Sequence, residues 1–154
     1  MSRFRTRHNE RGFTLIELMA AVLIIGILLA IAIPTFLGAR TRAQDGVAKS
    51  SLRNALTAAN VIFTDSETYS TATSAAMAIA EGSLTYAASP TSSSAPKEIS
   101  VLPAAGSWAA ASLSASGQCF LIQTTSAGAV TYGVVTGGNC NGARASAGAT
   151  AARW

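Results

Sequence analysis

The feature that most constrains this 154-residue chain is an apolar stretch near its N-terminus. Residues 18–39 contain no charged side chain, and as an α-helix these 22 residues extend about 33 Å, enough to cross the hydrocarbon core of a bilayer. Most of the large aliphatic residues are concentrated between Phe13 and Leu37, whereas much of the remaining apolar composition is alanine among serine and threonine. The sequence therefore predicts a segregated apolar helix followed by a small, more polar domain.

The formal net charge of +4 belongs mainly to the first 12 residues. Four arginines and one glutamate there contribute +3, which leaves about +1 for the rest of the chain. Later basic residues are scattered singly, whereas a nucleic-acid binder needs a clustered basic face with stacking aromatic residues. Nucleic acid is thus not excluded as a partner, but the sequence does not support it. The arginine-rich head is expected on the cytoplasmic side of a membrane.

Glu17 is the single carboxylate near the start of the apolar stretch. A secretory signal has a shorter apolar core that ends in a small-residue cleavage site, and a plain membrane anchor has no need of such a carboxylate. An ionised carboxylate costs about 2.5 to 3.5 kcal/mol on membrane insertion. Glu17 therefore either has a positively charged partner or reaches the headgroup region near the start of the helix.

The residues around Glu17 carry a resemblance to a known family. Residues 11–18, RGFTLIEL, resemble the processing motif of type IV prepilins and the related pseudopilins. The resemblance implies that a membrane-embedded prepilin peptidase and methyltransferase cuts the bond between Gly12 and Phe13 and methylates the new N-terminus of Phe13. Gly12 suits a cleavage site because a residue without a side chain leaves the backbone accessible.

The same resemblance implies a role for Glu17 and a set of partners. Glu17 would pair with the α-amino group of Phe13 on a neighbouring subunit, which sets the register of assembly. The expected partners are further copies of the chain in a helical filament, the membrane before assembly, and an inner-membrane pilus assembly platform with its ATPase. The expected location is the cytoplasmic membrane, as a single pass with its N-terminus inside, and then an extracellular pilus.

The chain after the predicted leader, residues 1–12, divides by pattern into three parts. Residues 13–39 form the transmembrane or filament-core helix, and Gly26 and Pro34 are expected either to loosen it or to leave it kinked but continuous. Residues 40–64 form an amphipathic continuation of the helix. Its apolar residues recur at helical spacing: Leu52, Ala55, Leu56, Ala59, Ile62 and Phe63.

Residues 65–154 are predicted to form a globular head. The pattern indicates a helix over residues 73–81 and strands over residues 97–102, 107–113, 118–125 and 129–136. The first of these strands should end at Pro103, and residues 141–154 should be surface chain or partly disordered. The predicted fold class is α+β and pilin-like: a long N-terminal helix whose C-terminal half packs on an antiparallel sheet.

Two cysteines, Cys119 and Cys140, occur late in the chain without the spacing of a metal or redox centre. They would be paired in an exported protein and reduced in a cytosolic one. The resemblance favours pairing, because type IV pilins often close a C-terminal loop with a disulfide. By chain entropy, such a loop of 22 residues would contribute about 3 kcal/mol to stability.

The sequence does not indicate an enzyme. The only histidine, His8, lies in the leader, and no phosphate loop, nucleophile elbow or metal-ligand spacing is present. We therefore expect no catalytic residues, metal or cofactor. The favoured function is the major structural subunit of a type IV pilus that serves adhesion, twitching motility or DNA uptake. The alternatives are a pseudopilin of a type II secretion system and a minor tip pilin with a binding role.

A substitution at Gly12 tests the expected cleavage site. We expect Gly12→Leu to leave an uncut precursor in the membrane, because a bulky side chain before the scissile bond hinders entry into the peptidase. The masses of the chain in membrane fractions of wild-type and variant cells measure this. Normal processing of the variant would remove the argument for peptidase recognition.

Overall fold

The computed structural model describes residues 12–154, so the arginine-rich head and all of the predicted leader except Gly12 lie outside the described residues. The chain divides between Ala39 and Arg40 into two units. The helices are α1, Leu15–Ser66; α2, Ser74–Ala80; and α3, Gly142–Gly148, with a short 3-10 helix over Tyr69–Thr71. The strands are β1, Thr85–Ala88; β2, Glu98–Ala104; β3, Ser107–Leu113; β4, Gln118–Thr125; and β5, Val130–Thr136.

Helix α1 contains 52 residues and continues without a break through both Gly26 and Pro34. The hydroxyl of Thr35 donates to the carbonyls of Ile31 and Ala32 at 3.2 and 2.9 Å. These bonds add hydrogen bonding in the turn where proline removes a backbone donor. The single chain therefore keeps one helix here, and loosening within a filament remains a prediction.

From residue 48 onward, α1 is apolar on one face only. Its buried residues are Ala48, Ser51, Leu52, Ala55, Ala58 and Ala59. Leu56, Ile62 and Phe63 are partly buried and pack against the same core. The predicted amphipathic pattern is confirmed, because these positions share the i, i+3, i+4 spacing that places side chains on one side of a helix.

The five strands form one sheet in the order β1-β2-β3-β4-β5. Strands β2 to β5 are successively antiparallel, so the predicted strands over residues 107–113 and 118–125 are confirmed and paired. Strand β1 was not predicted, and it pairs parallel to β2, so the sheet is mostly rather than wholly antiparallel. Residues 89–97 connect it to β2, a shorter link than the dozen or so residues that usually join parallel strands.

Strand β2 continues through Pro103 to Ala104, so the prediction that it ends at Pro103 is wrong. The pairing of β2 with β1 ends at Val101, and beyond that residue β2 is an edge strand. Proline is tolerated on an edge strand, because its missing N–H need not join a ladder.

The sheet is covered on both faces. One face contributes to the core under α1: Ile99, Val101, Trp108, Ala110, Phe120 and Ile122. The alternate residues Ala109, Ala111 and Leu121 pack on the opposite face with Ala145 and Ala149. The predicted α+β architecture, a long helix whose C-terminal half packs on a largely antiparallel sheet, is confirmed.

The C-terminal segment is ordered against the sheet, contrary to the expectation that residues 141–154 are surface chain or partly disordered. A disulfide joins Cys119 in β4 to Cys140, just before α3. The Asn141 side chain accepts from Arg144 N at 3.0 Å and caps α3. Small residues allow this packing, because the backbone at Gly142 lies directly against β2.

Gly142 provides a test of that close approach. A Cβ atom added there would lie 2.6 Å from the Leu102 nitrogen and 2.7 Å from the Val101 carbonyl carbon. We expect Gly142→Ala to lower the free energy of unfolding by about 1 to 3 kcal/mol through overpacking. Thermal unfolding of the full chain in detergent, followed by circular dichroism, measures the change.

Gly106→Ala is the matched control, because a Cβ atom there would meet nothing closer than Ser126 Oγ at 3.9 Å. Equal loss of stability in both variants would contradict the close-approach argument.

Candidate assembly site

Residues 13–37, which include the N-terminal part of α1, present an apolar surface that nothing in residues 12–154 buries. Every residue from 13 to 37 is exposed, and Phe13 has 89 % of its surface accessible. The helix is long and apolar enough to cross a membrane. We call residues 13–37 the assembly segment. Contiguous exposed apolar surface of this extent indicates contact with lipid or with other protein.

Glu17, the only charged residue of the assembly segment, is held in a capping box at the start of α1. Its Oε2 atom accepts from the backbone N and the hydroxyl of Thr14, at 2.9 and 2.8 Å. In return, the Glu17 backbone N donates to the Thr14 hydroxyl at 3.3 Å. This reciprocal pattern satisfies donors that the first turn of a helix leaves free.

The two carboxylate oxygens of Glu17 are in different situations. All the hydrogen bonds that the side chain accepts from residues 12–154 go to Oε2. Oε1 has no hydrogen-bond partner in that part of the chain and is free to accept from an external donor. The site can therefore hold the carboxylate in one orientation and still bind a cation.

Gly12, Phe13 and Thr14 precede the helix and have no regular secondary structure. A Cβ atom at Gly12 would meet no heavy atom within 4 Å, so within the described chain no packing restricts this position. The bond between Gly12 and Phe13 thus lies in exposed, non-helical chain, which is the form in which a peptidase binds its substrate.

Thr14 is the functional residue that the sequence reasoning missed. The pattern Thr14-Leu15-Ile16-Glu17 is that of a capping box directly before an apolar run, and this spacing was available in the sequence. The structure brings Thr14 and Glu17 together and leaves Phe13 exposed beside them. Gly26 and Pro34 lie farther along the same exposed helix.

The C-terminal unit holds a different set of predicted residues. Cys119 and Cys140 form a disulfide on the face of the sheet that α3 covers. Within residues 12–154, no group of three or more His, Cys, Asp or Glu side chains is placed to hold a metal ion.

Comparison with known proteins decides the identity of the N-terminal region. Residues 7–33 match the family model of the prokaryotic N-terminal methylation motif. The chain is 49% identical over 70 residues to the type IV major pilin protein PilA of Myxococcus xanthus. It is 43% identical over 61 residues to the type IV wide pilus major component PilA4 of Thermus thermophilus. The methylation motif and both relatives support a type IV pilin precursor.

The aligned regions are partial. They cover 46% of this pilin and 31% of the Myxococcus protein, and 40% of this pilin and 47% of the Thermus protein. The pilin thus spans about a third to a half of the length of the relatives that it matches. No solved structure matches the chain.

Thr14→Val tests the capping box in the pilin. The variant removes the hydroxyl that accepts from Glu17 N, and loss of such a cap typically costs about 0.5 to 2 kcal/mol of helix stability. We expect the Glu17 amide hydrogen to exchange several-fold faster, as measured by hydrogen exchange of the full chain in detergent micelles. Thr14→Ser is the control, since serine retains the hydroxyl. Unchanged exchange in the valine variant would show that the cap does not stabilise this turn.

Proposed function

We propose that this pilin is the major structural subunit of a type IV pilus and polymerises through its assembly segment. One observation carries the proposal: residues 13–37 form an uninterrupted apolar surface, exposed throughout, with a single carboxylate at its start. Such a surface needs either lipid or neighbouring subunits around it. Both relatives are named as major components of type IV pili, which supports a major rather than a minor subunit.

Processing would prepare the subunit for assembly. Cleavage after Gly12 removes the arginine-rich leader and creates a new α-amino group on Phe13, which the same enzyme methylates. An α-amino group has an ordinary pKa of about 8 and is therefore largely protonated at neutral pH. Phe13 then carries a positive charge four residues before Glu17, on a helix that has no other charge up to residue 39.

The ion pair between subunits would use the free oxygen of Glu17. The hydrogen bonds from Thr14 hold Oε2, while Oε1 remains available to the Phe13 amine of a neighbouring copy. In an apolar environment an unpaired charge is strongly unfavourable. A subunit added at the wrong axial offset would leave both charges unpaired, so the pair favours one register.

Cleavage and assembly in this order also imply where the subunit is located and what each segment does. The subunit would wait in the cytoplasmic membrane as a single-pass protein with its N-terminus inside, and an assembly platform with its ATPase would extract it into an extracellular filament. Residues 13–39 would form the filament core, residues 40–64 would join it to the head, and residues 65–154 would form the head. The role would be structural rather than enzymatic, in adhesion, twitching motility or DNA uptake.

Mass spectrometry of filaments sheared from the source cells tests the proposal. We expect the main species to begin at methylated Phe13 and to lack two hydrogens, which corresponds to the disulfide between Cys119 and Cys140. A processed chain found only in membranes would favour a pseudopilin of a type II secretion system or a minor tip pilin. A chain that retains its leader in filaments would contradict the proposal.

Two substitutions of Glu17 separate the effect of its charge from the effect of its hydrogen bonds in the capping box. Glutamine can replace glutamate in a capping box, so Glu17→Gln keeps the local hydrogen bonds but removes the charge. We expect Glu17→Gln and Glu17→Ala to be inserted and cut normally but to give far fewer sheared filaments. Thr14→Val, which keeps the charge and weakens the cap, is the matched control. Normal filament yield from Glu17→Gln would refute the ion-pair role.

A further inference from the structure

The charged side chains within residues 12–154 are not paired with one another. Among residues 12–154, no Lys or Arg side chain forms an ion pair with an Asp or Glu side chain of the same chain. The C-terminal unit carries nearly all of these charges. They are therefore available to a partner, and their arrangement on the sheet determines which partner fits.

Two cations of α1 lie over aromatic rings on the β4 and β5 side of the sheet. Lys49 Nζ is 4.9 Å from the centroid of the Phe120 ring, and the Arg53 guanidinium carbon is 5.3 Å from the Trp154 ring. These cation–π contacts restrict both side chains but leave their charges uncompensated. Arg53 is exposed, as is Arg153, which precedes Trp154. We call Lys49, Arg53 and Arg153 the basic flank.

The aromatic support of the basic flank is itself fixed. Trp154 packs edge-on against Tyr132 and Phe120, with ring centroids 4.6 and 6.1 Å apart. Its indole N–H donates to the carbonyls of Leu121 and Gly133, at 3.0 and 3.1 Å. Lys49 and Arg53 are thus held by contacts between α1, β4 and the C-terminal segment, so their positions are restricted before any partner arrives.

Two carboxylates lie at the other edge of the sheet. Glu81 directly follows α2, which packs against β1, and Glu98 begins β2 opposite Thr85 of β1. Ser83 N donates to Glu81 Oε1 at 3.0 Å, and Ser94 N donates to Glu98 Oε2 at 3.0 Å. We call Glu81 and Glu98 the acidic flank.

Hydrogen bonds favour the ionised form of both carboxylates in the acidic flank. Hydrogen bonds from the side chain and backbone of Ser83 lower the pKa of Glu81, and those of Ser94 lower the pKa of Glu98. The backbone N and the hydroxyl of Ser94 both donate to Glu98 Oε2, so the other oxygen of Glu98 accepts no hydrogen bond from residues 12–154. Lys97 is adjacent in sequence, but it forms no ion pair with Glu98.

The position of the two flanks determines the kind of association that they permit. Strands β1 and β5 are the two edges of the sheet, so the acidic and basic flanks lie at opposite sides of the head. When the basic flank of one copy meets the acidic flank of another, each copy still has its other flank free. Such a head-to-tail contact continues from subunit to subunit instead of closing as a two-fold dimer.

We propose that in the filament the basic flank of each subunit docks against the acidic flank of the next copy of this chain. The inference rests on the proposed function and adds to it the pair of head surfaces that meet. Complementary charges of this kind fix orientation and exclude wrong partners more than they add affinity. Because the pairs lie near the surface, salt weakens them.

Charge reversal in the source cells tests the contact. One variant combines Lys49→Glu with Arg53→Glu, a second combines Glu81→Lys with Glu98→Lys, and a third carries all four changes. We expect each double reversal to lower the yield of sheared filaments about fivefold or more, and the fourfold variant to recover most of the yield. The control is Asp65→Lys with Glu67→Lys, two exposed carboxylates outside both flanks, which should assemble normally.

The outcomes separate the inference from the function on which it rests. Membrane amounts and processing at Phe13 show whether each variant folds and is cut, and recovery in the fourfold variant excludes misfolding as the cause. Normal yield from the double reversals, or no recovery in the fourfold variant, overturns the head contact while wild-type filaments still support the function. Absence of the wild-type chain from filaments overturns both.

A separate measurement tests whether nucleic acid, instead of another subunit, occupies the basic flank. Sheared filaments of the wild type and of the Lys49→Glu, Arg53→Glu variant are incubated with a short duplex DNA and sedimented. Loss of DNA retention together with unchanged filament yield would overturn the proposal in favour of a DNA-binding surface. Unchanged DNA retention together with reduced filament yield supports the contact between subunits.

Discussion

The structure depends on a change in the distribution of apolar side chains along a single helix. Up to residue 37, α1 is apolar on all sides and entirely exposed; from residue 48 it is apolar on one face, which is buried. The hydrophobic effect favours burial of both parts, but residues 12–154 bury only the second. The first part must obtain its burial from lipid or from other molecules. The proposed membrane insertion and polymerisation would therefore both use this one exposed surface.

Glu17 shows how a charge can be kept on such a surface. The capping box with Thr14 uses one carboxylate oxygen to complete the hydrogen bonding of the first turn, where backbone donors would otherwise be unsatisfied. The other oxygen accepts no hydrogen bond from residues 12–154. The same side chain therefore caps the start of the helix and offers a site for a cation. The helix cap and the proposed ion pair between subunits would therefore use different oxygen atoms of Glu17.

The sequence was sufficient to predict the long helix, the amphipathic change and the central strands, because each has a strong local periodicity. It did not predict β1 or α3, whose residues are mainly Ala, Gly, Ser and Thr and carry little periodic signal. Their positions depend on contacts made far along the chain. Gly142 against β2 is one example, since only the folded structure shows why a side chain cannot fit there.

Some functional residues could likewise be predicted from the sequence, whereas others come together only in the folded structure. Gly12, Phe13 and Glu17 were recognised because they form a contiguous motif, and the Thr14 cap was readable from its spacing to Glu17. The basic residues appeared singly scattered because Lys49 is far in sequence from the Phe120 ring that it contacts, and Arg53 is far from Trp154. Tertiary packing brings these cations onto aromatic rings, and no local pattern encodes that contact.

The C-terminal segment also affects how the open edges of the sheet can behave. Tyr132 in the middle of β5 exchanges two backbone hydrogen bonds with Ala151, at 2.8 and 2.9 Å, so the centre of this edge is already paired. The opposite edge, β1, has only four residues. Short or occupied edges are poor templates for further strands. A head with such edges is thereby protected from cross-β aggregation when many copies lie close together.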